Sequence, residues 1–269
     1  MDIRDSGELA GRLLVFGGPY SNLEALRALD ARARAAAVGG ANLICTGDVV
    51  AYGGAPVATL GLVREMGAAV VAGNCERQLA AGATDCGCGF APGSACDRLS
   101  QGWYPYALSQ LGAADRDWCG RCPDIVRFRH AGMRVVAIHG GVSDIARFLW
   151  PVSGDDAFAA EVAAITAVAG PVDRVLAGHA GIAFRRQVAG VDWINAGAIG
   201  LPPNDGAPET RYVEIGADGE PVFHRLAYDH GAAAARMRDN GLGGGYADAL
   251  VSGWWPSEDI LPPEMRRAA

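Results

Sequence analysis

Four polar residues stand where apolar runs stop, and together they have the chemistry of a metal site. NLICTGD ends in Asp48, AVVAGN in Asn74, MRVVAIH in His139 and DRVLAGH in His179. One carboxylate, one amide oxygen and two neutral imidazoles form a donor set that suits Mn, Zn or Fe. Four such donors are enough to hold one ion, with water completing its shell. A plainer reading makes Asp48 and Asn74 turn caps and the two histidines satisfied core residues. Their shared position at strand ends weighs against it, because open α/β sheets place ligands beyond the carboxyl ends of their strands.

The elements that must position these residues are legible from periodicity. RLLVFGG (12–18) reads as a buried strand, and SNLEALRALDARARAA as a helix with Leu23, Leu26 and Leu29 on one face and Ser21 as N-cap. Strands at 42–48 and 69–74 flank a helix at 55–67, and this alternation implies parallel strands with right-handed crossovers. Residues 76–122 form a helical excursion containing Gly and Cys. Strands resume at 124–130 and 133–139, joined by the turn Ala131-Gly132; a helix follows at 155–169 and a strand at 173–179. Short strands then lead to a hairpin through Ala217-Asp218-Gly219-Glu220, and from 229 the pattern is helical, ending in a Trp- and Pro-bearing tail.

Composition narrows the function classes. The 269 residues carry a net charge of −7, which argues against a nucleic-acid or membrane-surface binder. All 23 basic residues are Arg, which excludes a Schiff-base or P-loop lysine. No apolar run reaches membrane-spanning length, and the N-terminus lacks a signal-peptide core. With an odd count of 7 cysteines, these features predict a cytoplasmic protein whose thiols are free or on metal. Cys86, Cys88 and Cys96 form C-x-C-x7-C, and Cys119 and Cys122 form C-x-x-C. Cys86, Cys88, Cys119 and Cys122 could hold a structural zinc; the alternative is free thiols packed as small apolar groups. The aromatic tract from Ser100 to Tyr106 is a candidate pocket wall or a piece of core, and Trp254-Trp255 a candidate docking element for this chain or a second copy in a homo-oligomer.

The motifs, in order, resemble the calcineurin-like metallophosphoesterase superfamily over about residues 12–225. The resemblance is carried by SNLEAL (21–26), GDVVAYG (47–53), GN-x-E (73–76), HGG (139–141), GH (178–179) and INAGAIGLPPNDGAPETRY (194–212). It implies a four-layer α/β/β/α sandwich of two mixed β-sheets, with metals between the sheet ends. The implied organisation is a sandwich domain over 1–228 with the Cys-containing excursion at about 76–122, and a helical appendage over 229–269 packing on the same domain. In such proteins two cations clamp the attacking and leaving oxygens of a phosphoryl transfer. Asp48 matches the carboxylate that bridges them; Asn74, His139 and His179 match the other ligands of the second metal. The first metal's ligands do not match. The family's D-x-H is here Gly18 and Tyr20, the last histidine of its G-H-x-H is Gly181, and the histidine of its G-N-H is Cys75.

One retained site therefore implies one cation, keeping the Lewis-acid and water-activating roles but losing the two-sided clamp. Cys75 is then a further ligand or a nucleophile if its pKa is lowered, and Tyr20 a phenolate ligand for iron. Arg211 lies in the stretch matching the family's late loop near the active site, with Asp205; it is a candidate for pairing with a phosphate oxygen, or else for a surface ion pair. Two functions follow. The first is a metal-dependent phosphoesterase acting on a small phosphorylated compound, with Asp48, His139, Cys75 and Arg211 in catalytic roles. The second is a catalytically inactive descendant that binds an anion or metabolite.

Overall fold

The computed structural model describes residues 1–267 and places two β-sheets face to face between helical layers. The strands are β1 (Ile3–Glu8), β2 (Leu13–Phe16), β3 (Leu43–Cys45), β4 (Ala69–Val70), β5 (Ile125–His130), β6 (Met133–Ala137), β7 (Arg174–Ala177), β8 (Ala183–Val188), β9 (Val191–Ala196), β10 (Thr210–Ile215) and β11 (Pro221–Leu226). One sheet runs β1-β5-β6-β7-β9-β8 and the other β11-β10-β2-β3-β4. Both are mixed: β2, β3 and β4 are parallel, as are β6, β7 and β9, while β5–β6, β8–β9 and β10–β11 are antiparallel.

The period-two alternation of β2 shows how the layers are specified. Leu13 and Val15 face the other sheet and join Ile44, Val135, Leu176 and Ile194 in the inner core. Leu14 and Phe16 face outward and pack with Leu26 and Leu29 of helix α1 (Leu23–Ala35) and Leu60 of helix α2 (Pro56–Met66). On the far side, Phe158, Val162 and Ile165 of helix α6 (Asp155–Ala169) cover Val175 and Trp193. The order of layers is thus α/β/β/α.

Helices α3 (Asn74–Ala81), α4 (Ala95–Gln110) and α5 (Ala113–Gly120) fill the excursion, and α7 (His230–Asp239) and α8 (Tyr246–Ser252) follow the last strand. Arg236 of α7 reaches Glu24 of α1 at 2.6 Å, tying the C-terminal helices to the five-stranded side. Among the described residues no helix is long and apolar enough to cross a membrane.

Two details differ from the sequence reading. The N-cap of α1 is Asn22, whose side chain accepts from Ala25 N–H at 3.1 Å, whereas Ser21 is held in the left-handed region with φ +56°. β1, which pairs parallel with β5, was not anticipated; its residues are exposed or only partly covered, so no apolar alternation marks it. The hairpin from β10 to β11 does turn through residues 216–220, where Gly219 adopts φ +88° and Asp218 accepts from Glu220 N–H at 3.1 Å.

Within the six-stranded sheet, Arg174 is 2% exposed, and its guanidinium bonds to Asp192 at 2.7–2.8 Å and to Gly219 O at 2.7 Å. Asp192→Ala would leave that charge buried without its carboxylate. The expected loss is about 3–5 kcal/mol of unfolding free energy, read by chemical denaturation.

Candidate metal centre

Asp48, Asn74, His139 and His179 each follow the carboxyl end of a strand, β3, β4, β6 and β7 respectively, so the two sheets contribute two residues apiece. Their side chains converge. His139 Nε2 lies 3.0 Å from Asn74 Oδ1, 3.0 Å from His179 Nδ1 and 3.4 Å from Asp48 Oδ2. Two of the four sit on strained backbone: Asp48 has φ +55° and His179 φ +58°, the kind of outlier that accumulates at functional sites.

Hydrogen bonds on the outer side fix which atoms face inward. His139 Nδ1 lies 2.6 Å from Thr46 O, which can only accept, so Nδ1 carries the proton and the Nε2 lone pair points to the centre. The Asn74 amide nitrogen donates to Cys86 O at 2.9 Å, which turns its carbonyl oxygen toward His139. His139 Nε2, His179 Nδ1 and the Asn74 and Asp48 oxygens, each able to offer a lone pair to a cation, therefore meet at one point.

The titration of the group has the same cause. Burial lowers the His139 pKa, but the Asp48 carboxylate outweighs it and the net shift is upward. Burial raises Asp48, and the two imidazoles, His139 foremost, reverse this and bring it below its ordinary value. Burial, then His139, depresses His179 to about 3, so it is neutral. Such a donor set fits one cation, whose ligands must be deprotonated to bind it.

The support around the ligands was only partly visible in the sequence. Glu76, fully buried on α3, accepts from Asp48 N–H at 2.8 Å, Val49 N–H at 2.9 Å and Gly73 N–H at 2.8 Å, clamping two ligand-bearing loops together. It is the Glu of GN-x-E, and that motif was the available signal. Thr46 and Cys86 act through main-chain carbonyls and left no trace in residue type. A Cβ at Gly73 would lie 2.2 Å from Asp48 Oδ1, so only glycine permits this approach. Asn195 holds the His179 loop by donating to Gly178 O at 2.7 Å.

Several sequence expectations are corrected. Cys75 lies beside the centre, where its N–H donates to Asp48 Oδ1 at 3.1 Å; burial, then Asp48 and Glu76, push its thiol well up, against the lowering a nucleophile needs. Arg211 does not reach the four ligands: its guanidinium is held by Asp205 and by the carbonyls of Glu209, at 2.8 Å, and Thr210, at 3.1 Å. The four-cysteine zinc site is not formed. Cys86 and Cys88 pair with each other as a disulfide, whereas Cys45, Cys75, Cys96, Cys119 and Cys122 are free thiols, as expected. Cys119 and Cys122 are buried in the apolar core, where burial foremost raises Cys122 to about 12. Among the described residues, the compact metal-ligating group of His, Cys, Asp and Glu is Asp48, His139 and His179.

The unmatched half of the site is filled rather than vacant. The Tyr20 ring lies over Gly18, where a Cβ would meet its Cζ at 2.2 Å, and its hydroxyl is 3.9 Å from where a Cβ on Gly181 would be. Burial, then Asp48, raises this phenol well above its ordinary value. A pocket opens above Asp48 and His179, walled by Tyr20, Tyr52, Phe148, Trp150, Tyr246 and Trp255. The tract at 100–106 is not its wall; Trp103 and Tyr104 are core. Trp255 docks on its own chain, donating from Nε1 to Pro202 O at 2.6 Å.

Comparison with known proteins agrees with this architecture. The family model of the calcineurin-like phosphoesterases matches residues 12–194. A metallophosphoesterase from Sphaerobacter thermophilus is similar with TM-score 0.67 and 22% identity, over 91% of this chain and 100% of its own. A hypothetical protein from Pyrococcus horikoshii OT3 gives TM-score 0.72 and 13% identity, over 91% and 98%. No curated protein matches the sequence.

Glu76→Ala would orphan three buried N–H groups and release both loops. At about 1–3 kcal/mol per unsatisfied donor, the expected destabilisation is about 3–9 kcal/mol, measured by denaturant titration, with weaker metal retention in the folded fraction.

Proposed function

The chain belongs to the calcineurin-like phosphoesterase family, and from that premise we propose that it is a phosphoesterase working with one divalent cation on a small phosphorylated compound. Asp48, Asn74, His139 and His179 hold the ion. The observation that carries this reading is the convergence of Asn74 Oδ1, His179 Nδ1 and Asp48 Oδ2 within 3.0–3.4 Å of His139 Nε2, four atoms that can each ligate a cation. The chemistry such a cation supplies is polarisation of a phosphoryl oxygen and acidification of a water.

The chain's own residues do the rest. Thr46 O keeps the proton of His139 on Nδ1, so Nε2 stays available. The Cys86 carbonyl keeps the Asn74 oxygen facing in, and Glu76 sets the spacing of the Asp48 and Asn74 loops. Tyr20, a neutral phenol lining the pocket, offers a hydrogen-bond donor to an oxygen of the ligand. Its ring, lying over Gly18 and reaching toward Gly181, supports a single-cation centre, since a second ion would need ligands in the space it fills. Cys75 and Arg211 have no part in the reaction.

Metal analysis and hydrolysis test this together. Protein purified without chelator is expected to hold about one equivalent of Mn, Zn or Fe per chain. It should also hydrolyse p-nitrophenyl phosphate or its bis ester with added Mn²⁺. His139→Ala is expected to remove most of the metal and at least a hundredfold of the rate, about 2.7 kcal/mol of transition-state stabilisation. Two firmly held equivalents would refute the single-cation centre. Absence of turnover in the metal-loaded protein would refute hydrolysis and leave a protein that binds an anion without cleaving it.

A further inference from the structure

The pocket above the four ligands has a wall chemistry of its own. Its lining is aromatic and apolar on most sides. Phe148 and Trp150 stack with centroids 5.2 Å apart and planes within 6° of parallel. The Trp255 ring is fixed by its bond to Pro202 O at 2.6 Å, and its main-chain N–H donates to Asn204 Oδ1 at 2.7 Å. On another side Tyr246 packs on Tyr52 with centroids 4.5 Å apart. These rings are held by neighbours before any ligand enters, so little ordering is left to oppose binding.

Charge is one-sided. No Arg is among the described residues that line the pocket, and the chain has no Lys. Guanidiniums on surrounding elements are engaged elsewhere: Arg211 with Asp205, Arg147 with Glu161 at 3.1 Å and Arg236 with Glu24 at 2.6 Å. A second anionic group on a ligand would enter aromatic surroundings with no counter-charge, a costly burial.

Resting on the reading of the four-ligand centre as the place where a phosphoryl group binds, we infer that the ligand's organic half is a flat, uncharged aromatic group. The substrate class is an aryl or arylalkyl phosphoester bearing no further anionic group. Polyphosphates and phosphorylated acids are excluded because their extra charge has no partner in the pocket. Phe148, Trp150, Tyr246 and Trp255 are the specificity-determining residues.

Calorimetric titration of the Mn²⁺-loaded protein with three phosphonates tests this without requiring turnover. Phenylphosphonate is expected to bind at least tenfold more tightly than methylphosphonate, and at least tenfold more tightly than 4-carboxyphenylphosphonate. Trp255→Ala is expected to reduce the phenyl-over-methyl preference to under threefold. Trp255→Leu, which keeps an apolar group in place, should give an intermediate value and guards against misfolding of the alanine variant. Equal affinity for phenyl- and methylphosphonate, tighter binding of the carboxylated ligand, or no binding of any of them would overturn the inference. A clear phenyl preference in a protein that hydrolyses nothing would support it while refuting the hydrolase reading.

Discussion

Four polar side chains from two sheets converge on one buried point, and the site is organised to hold them there. The cost is visible as strained backbone at Asp48 and His179 and as buried polar groups on all sides. Such an arrangement persists only when its surroundings over-determine it. Here the determinants are the Glu76 carboxylate, the Thr46 and Cys86 carbonyls, and the glycines that let Asp48 approach the Gly73 loop. A cation at that point would find all four side chains within reach. Fold and chemistry are thus linked through electrostatics: two sheets must be packed in one register for their strand ends to aim at a single point.

The inner core sets that register. Valine, leucine and isoleucine side chains from both sheets interdigitate between them, so a slip of one residue in β3 or β6 would exchange the side chains on its two faces and move the Asp48 or His139 loop with them. The outer helices complete the burial, and one of them, α3, begins at the ligand Asn74 itself. Positioning the amide on the first residue of a helix fixes its backbone more firmly than a free loop would.

Much of this was legible in the sequence, for physical reasons that differ from element to element. Strands buried on both faces appear as continuous apolar runs, so β2, β3 and β7 were evident, and the polar residue ending such a run was recognisable as a ligand. β1 was not, because a half-exposed edge strand paired to a distant partner has no pattern of its own. Glu76 stood in a quoted motif, but its role as a clamp on three N–H groups depends on loops that meet only in the folded chain. Arg211 was misplaced for the opposite reason: its position in sequence was right for a loop near the site, but Asp205 lies six residues away and captures it. The cysteine spacing left a thiolate cage and packed free thiols both open, and packing decides between them: Cys119 and Cys122 are buried free thiols, while Cys86 and Cys88 lie beside Asn74. The pocket walls were invisible because Phe148, Trp150, Tyr246 and Trp255 come from separate segments.

The ring of Tyr20 also constrains how the sequence can change. With the phenol where it is, no side chain larger than hydrogen fits at residue 18, so restoring a carboxylate there requires the ring to leave first. At residue 181 a Cβ would make only ordinary contact, 3.9 Å from the same hydroxyl. Positions 18 and 20 are therefore coupled in order: the ring at 20 has to be replaced before, or together with, any enlargement at 18.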